Sequence, residues 1–83
     1  MKAVLESILF TMGESVDVSR LAAVLEISTK ETKALLVEMK EEYDNNPAKG
    51  VTLMELEDAY QMCSKTEMYD WLIKIASAPR KYT

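Results

Sequence analysis

The stretch GVTLMELEDAYQMCSKTEMYDWL, residues 50–72, holds two short runs of strand-forming residues around a tight turn, then changes to helical spacing. VTLMELE and AYQMCS read as the two arms of a β-hairpin, joined at Glu57-Asp58. Acidic residues replace the Asn-Gly pair usual in such turns. Val51 and Leu53 share one face of the first arm, and Tyr60 and Met62 share one face of the second. Met54 and Leu56 have the opposite parity. Either a bulge turns Leu56 inward, or the first arm is apolar on both faces. A hairpin leading into a helix is the wing of a winged helix when a helix-turn-helix precedes it.

Upstream, such a unit is present. AVLESILFTM (3–12) has helical spacing, with Val4, Leu5, Ile8, Leu9 and Met12 on one arc and Phe10 nearly opposite, near Ala3. Gly13 then stands where a left-handed C-cap is favoured. Asp17 is placed to cap VSRLAAVLE, whose apolar positions are Val18, Leu21, Ala22 and Leu25. After the connection Glu26-Ile27-Ser28, the run Ser28-Thr29-Lys30-Glu31 is a capping box opening a third helix to about Asp44. Its buried stripe is predicted as Leu35, Leu36, Met39 and Tyr43. Two helices joined by about three residues have helix-turn-helix spacing. Glu26 occupies a position where glycine is common, so a positive φ there would strain it by roughly 1 kcal/mol.

Downstream, Asn45-Asn46-Pro47-Ala48-Lys49-Gly50 is a loop into the hairpin, and Thr66 is placed to cap a last helix, EMYDWLIKIAS. Met68, Trp71, Leu72 and Ile75 form its main stripe, widened by Tyr69 and Ile73, with Trp71 expected to anchor the core beneath the hairpin. The predicted fold class is α+β, mostly α: a winged helix with an added C-terminal helix over residues 1–78. Residues 79–83 form a polar tail or linker.

Composition narrows the function. With 83 residues and only two glycines, the chain suits one small packed domain whose core is thin enough for a partner to add burial. It has no histidine and a single cysteine, Cys63, so Ser-His or Cys-His nucleophile pairs and cysteine-based zinc sites are excluded. Cys63, mid-strand and without a neighbouring base, is expected to be an inert thiol. Catalytic, cofactor and metal sites are expected to be absent, as is a small-molecule substrate. The net charge of −4 opposes tight binding to a polyanion. No apolar run is long enough to span a bilayer, and LESILF carries Glu6 and lacks the flanks of a signal peptide, so a cytoplasmic location is expected.

The segments ESILFTMGESVDVSRLAAVLEIS and GVTLMELEDAYQMCSKTEMYDWL, with the closing APRKYT, resemble the segregation and condensation protein B (ScpB) family. The resemblance covers the whole chain and matches the family's N-terminal winged-helix domain. The combined pattern LF-x-x-GE, helix-turn-helix, then G-[VI]-x-L…YQ-[ML]…Y-x-x-W-L carries it. Departures are Glu26 at a usual glycine and Glu57-Asp58-Ala59 at a tip often rich in glycine. The resemblance implies a non-catalytic subunit of the bacterial SMC–kleisin complex for chromosome condensation and segregation. It further implies a homodimer, the kleisin ScpA and through it SMC as partners, nucleoid association through that complex, and a second winged helix beyond RKYT.

Surface residues then divide between two functions. For protein contact the candidates are Ala3, Phe10, Met54, Leu56 and Ile73, apolar residues lacking a clear place in an intramolecular stripe. Phe10 either lies under the hairpin or last helix, or belongs to a dimer seam on the first helix with Ala3 allowing close approach. The alternative is a winged-helix DNA-binding transcriptional regulator, with Lys30, Lys33 and Lys40 on phosphates. Glu31, Glu38, Glu41, Glu42 and Asp44 share that helix, and its first two turns lack an arginine or asparagine to read a base edge. Direct DNA contact is therefore not expected. Trp71 and Tyr69 as a stacking platform would need a basic groove, which Glu57, Glu67 and Asp70 oppose.

Overall fold

The computed structural model describes residues 1–77. In chain order these form α1 (Lys2–Met12), β1 (Val16–Asp17), α2 (Val18–Leu25), α3 (Thr29–Asp44), β2 (Val51–Leu56), β3 (Ala59–Ser64), a 3₁₀ turn (Thr66–Met68) and α4 (Tyr69–Ser77). The boundary expected at residue 78 and the tail 79–83 lie outside the described residues.

Leu5 and Leu9 of α1, Leu21 and Leu25 of α2, Leu36, Met39 and Tyr43 of α3, and Leu53 and Tyr60 of the hairpin close one core. Burial of α1 is narrower than its spacing predicts. Leu5 and Leu9 are fully buried, Ile8 packs at the margin, and Val4 and Met12, near the two ends of the helix, are exposed. Gly13 ends α1 in the left-handed region (φ 66°), its N–H donating to Leu9 O at 3.3 Å. This is the expected αL cap.

The helix-turn-helix follows its sequence signals closely. Glu26 adopts φ 58°, and the N–H groups of Glu26 and Ile27 return to the carbonyls of Ala23 and Ala22. Those bonds hold a glutamate where glycine would sit without strain. Replacing Glu26 with glycine is expected to stabilise the domain by about 0.5–1 kcal/mol, the relief of strain exceeding the entropy glycine adds to the unfolded chain. A urea midpoint that falls instead would show that the Glu26 side chain holds the turn. At the start of α3, Ser28 Oγ accepts from Glu31 N–H at 3.0 Å, the predicted cap. Thr32, fully buried, donates its hydroxyl to Ser28 O at 2.9 Å. Asp17 occupies the cap position of α2 without a side-chain bond. Its backbone is instead drawn into a sheet.

That sheet has three strands, in order β1-β3-β2. Val16 pairs with Tyr60 and Asp17 with Ala59, and Val18 N–H donates to Asp58 O at 2.8 Å. The helix-turn-helix is thereby stitched to the hairpin turn. β2 and β3 pair without interruption from Leu56↔Ala59 to Val51↔Ser64. No bulge reorients Leu56, so β2 has two apolar faces. The two-residue turn is closed with Glu57 at φ 45°. At the other end, Lys65 N–H donates to Gly50 O and its buried ammonium to Asn46 O, both at 2.8 Å. Helix-turn-helix, three-stranded sheet and wing together make a winged helix.

The last helix departs from expectation. Thr66 does not cap it; Thr66–Met68 form a 3₁₀ turn and α4 begins at Tyr69. Trp71 is 65% exposed and lies outside the core, with Lys74 Nζ 4.7 Å from its ring centroid. Leu72 and Ile75 are also exposed. Leu9, Leu53 and Tyr60 belong to the buried cluster, and among the described residues none of α4 joins it.

Candidate protein-interaction surface

Cross-strand partners share a face of the sheet, which sorts the hairpin side chains. Leu53, Met62 and Tyr60 lie on the core side, while Thr52, Met54 and Leu56 with Cys63, Gln61 and Ala59 lie on the outer side. Met54 and Leu56 are exposed, and Cys63 is half-buried. Phe10, 75% exposed, is covered by neither the hairpin nor α4. It lines a groove of about 220 Å³ with Gly13, Val51, Met62 and Cys63. Cys63 also lines a larger groove, of about 610 Å³, with Met54, Leu53 and Tyr69. The structure thus brings two of the sequence candidates, Phe10 and Met54, to either side of one residue.

The other candidates are dispersed. Ala3 is exposed at a different groove between α1 and α3, with Met39, Tyr43 and Lys49. Leu56 stands at the turn end of the hairpin, and Ile73, 60% exposed, belongs to α4. What sequence reasoning missed is the rest of the α4 surface around its candidate Ile73, where Tyr69, Trp71, Leu72 and Ile75 are exposed as well. A signal was available in the run Trp71-Leu72-Ile73. Three successive large apolar residues span more of a helix than one core face can bury.

Electrostatics disfavour a phosphate grip. Lys33 Nζ lies 3.7 Å from Glu55, and Lys40 Nζ 2.7 Å from Asp44. Lys30 shares its groove, about 560 Å³, with Lys33, Asp17 and Asp58. Asp44 also accepts from Thr52 Oγ1 at 2.6 Å, tying α3 to β2. The Lys40 ammonium and the Thr52 hydroxyl hold its carboxyl below the usual carboxylate range. Across the domain, Lys2 Nζ reaches Glu42 at 2.8 Å and Glu38 at 3.3 Å, and those carboxylates hold its pKa above the ordinary lysine value. The Tyr43 hydroxyl donates to Glu6, joining α3 to α1. Burial and the Glu6 carboxylate push that phenol up to about 12. These polar groups brace helices and enclose no reactive cleft. Among the described residues no group of three His, Cys, Asp or Glu side chains is placed to hold a metal. No helix there is long and apolar enough to cross a membrane.

Comparison with known proteins settles the family. The family model described as "Segregation and condensation complex subunit ScpB" matches residues 3–83. The chain belongs to the ScpB family. It is 50% identical over 80 residues to segregation and condensation protein B of Agathobacter rectalis, which covers 96% of this chain and 43% of that protein. The homologue from Lachnoclostridium phytofermentans is 37% identical, covering 99% of this chain and 43% of its own length. The chain therefore spans well under half the length of these relatives. Among solved structures, a dimer of the ScpB N-terminal domain complexed with ScpA peptide superposes with a TM-score of 0.82 at 33% identity. That match covers 89% of this chain and 91% of the other. ScpB from Mycobacterium tuberculosis matches with a TM-score of 0.84 at 25% identity, covering 99% of this chain and 52% of its own. The winged-helix assignment and the family resemblance read from the sequence both stand.

Proposed function

We propose that this domain is a non-catalytic accessory element of the bacterial SMC–kleisin complex for chromosome condensation and segregation, working through self-association and binding of the kleisin ScpA. The observation that carries this is the extent of exposed apolar surface on a ScpB-family winged helix. Phe10, Met54, Leu56 and the stripe on α4 face solvent together in one chain of 83 residues. Solitary domains seldom expose so many large apolar side chains, and protein partners are their usual cover. The homologous domain of known structure is a dimer carrying a ScpA peptide, which supports the same two contacts here. Phe10 and Met54, on either side of Cys63, are the residues assigned to protein contact on the hairpin side. Through the complex the domain would reach the nucleoid from the cytoplasm without gripping DNA. A chain without histidine suits this role, because the work is burial of apolar surface rather than proton transfer.

Sedimentation at micromolar concentration, followed by titration with a labelled peptide from the central region of ScpA, tests both contacts. A dimer that binds the peptide with a defined stoichiometry is expected. A monomer indifferent to the peptide would overturn the proposal. The DNA-regulator alternative predicts retardation of mixed duplexes that weakens steeply with salt. With Lys33 and Lys40 already facing carboxylates, no retardation is expected even at low salt.

A further inference from the structure

We infer that Glu55 is a two-position carboxylate, facing Lys33 at the surface in one position and accepting from the buried Tyr60 hydroxyl in the other. Drawing Lys33 away turns it inward, so the engagement of α3 by an anionic group sets how firmly the hairpin is tied to the core. Both positions lie within reach of one side chain. Tyr60 is fully buried, and its hydroxyl meets no hydrogen-bond partner among the described residues. A buried donor in that state is costly, and an acceptor that reaches it is favoured. Glu55 stands directly opposite Tyr60 in the β2–β3 ladder, so the two side chains leave one face of the sheet with Cβ atoms about 5 Å apart. It is the core-facing side, shared with the buried Leu53. Glu55 is exposed nonetheless, because it stands next to the last pair before the turn. Burial, and then this same carboxylate, hold the Tyr60 phenol above its ordinary value, as a carboxylate close to the hydroxyl should.

The outward position is held loosely. Lys33 Nζ lies 3.7 Å from Glu55, whereas Lys40 closes on Asp44 to 2.7 Å and Lys2 on Glu42 to 2.8 Å. Both side chains of the Lys33–Glu55 pair are about half exposed, and such pairs contribute little and are screened by salt. Turning inward costs the carboxylate part of its hydration and gains a buried, charge-assisted bond. The two effects oppose each other, and the swing needs only a change of rotamer, with the strand ladder intact. Lys33 also has another place to go, since it lines a groove with Asp17 and Asp58. Met54 and Leu56, exposed on the opposite face of the same strand, flank Glu55. An inward Glu55 therefore anchors β2 between them, and the firmness of that strand follows the state of Lys33.

The test reads hydrogen exchange of the Tyr60 hydroxyl in the 83-residue chain, through the deuterium isotope effect on its ¹³Cζ resonance, assigned with Tyr60→Phe. Wild type, Lys33→Met, Glu55→Met and the double variant are compared at about 20 mM and about 500 mM sodium chloride. Lys33 and Glu55 are both exposed, so these variants retain the core, which amide spectra check. At low salt, Lys33→Met should slow the exchange by about tenfold relative to wild type. High salt should slow wild type by about threefold or more and leave Lys33→Met within about twofold. Glu55→Met and the double variant should exchange alike at either salt. A wild-type rate that Lys33→Met leaves unchanged overturns the two-position carboxylate. So does a slowing that persists in the double variant, because Lys33 would then act on Tyr60 without Glu55.

Discussion

Replacing Leu36 with alanine is expected to remove about 3–5 kcal/mol of stability, enough to leave the domain at the margin of folding. Leu36 is fully buried at the middle of α3, in the cluster that also holds Leu5, Leu9, Leu21, Leu53 and Tyr60. Truncation there loses the transfer energy of three carbons and leaves a cavity bounded by three helices and a sheet, none of which can move inward alone. A domain of this length has only about 4–12 kcal/mol in total. The melting temperature should fall by roughly 15–25 °C, read by circular dichroism. Val24→Ala, on an exposed side chain of α2, is the matched control and should stay within about 0.5 kcal/mol. A Leu36→Ala loss below about 1 kcal/mol would mean that the core is not centred on α3.

Alkaline pH should weaken the domain by a second, independent route. The Tyr43 phenol is raised from an ordinary 10.0 to about 12, because burial disfavours the phenolate and the Glu6 carboxylate accepts from the neutral hydroxyl. A folded pKa above the unfolded one means that the native state holds the proton longer. The stabilisation is therefore fully present below pH 10 and is lost as pH climbs from 10 through 12. The linked energy is at most about 2 kcal/mol once the solvent near the Glu6 side is allowed for. Tyr60 adds in the same direction. Its buried hydroxyl meets no hydrogen-bond partner among the described residues, and burial and the Glu55 carboxylate across the hairpin raise it. Urea midpoints at pH 9, 10, 11 and 12 should fall more steeply for wild type than for Tyr43→Phe. Parallel curves would remove Tyr43 from the account.

How far these groups were legible beforehand differs by element. The capping box at Ser28 was plain in sequence because its bond spans three residues and depends on nothing remote. The same holds for the αL cap at Gly13 and for the two arms of the hairpin. The sequence leaves open both the φ of Glu26 and a bulge at Leu56, and the structure decides for a positive φ and for unbroken pairing. β1 was not legible. Val16 and Asp17 are a strand only because Tyr60 and Ala59 arrive beside them, which also took Asp17 from the capping role its side chain suggested. Among the interface candidates, Phe10 was singled out because it breaks the α1 stripe, and it is indeed exposed. Val4 and Met12 obey that stripe and are exposed as well. A helix touches its neighbours over a limited length, and periodicity says nothing about where that contact ends.

The amino-acid order thus determined the local events: where helices start and stop, where the chain turns, and that the wing carries acid instead of base. Those are decided by bonds and charges within a few residues of one another. It also marked the ScpB family through the joint spacing of its motifs. Which apolar face of a helix finds cover was decided only in three dimensions. The sequence predicts that the α4 stripe anchors the core beneath the hairpin, yet the buried cluster takes in Leu53 and Tyr60 of the hairpin and no residue of α4, and Trp71, Ile73 and Ile75 are exposed. Burial is a property of the volume left by all the other elements, and no window of sequence contains that volume.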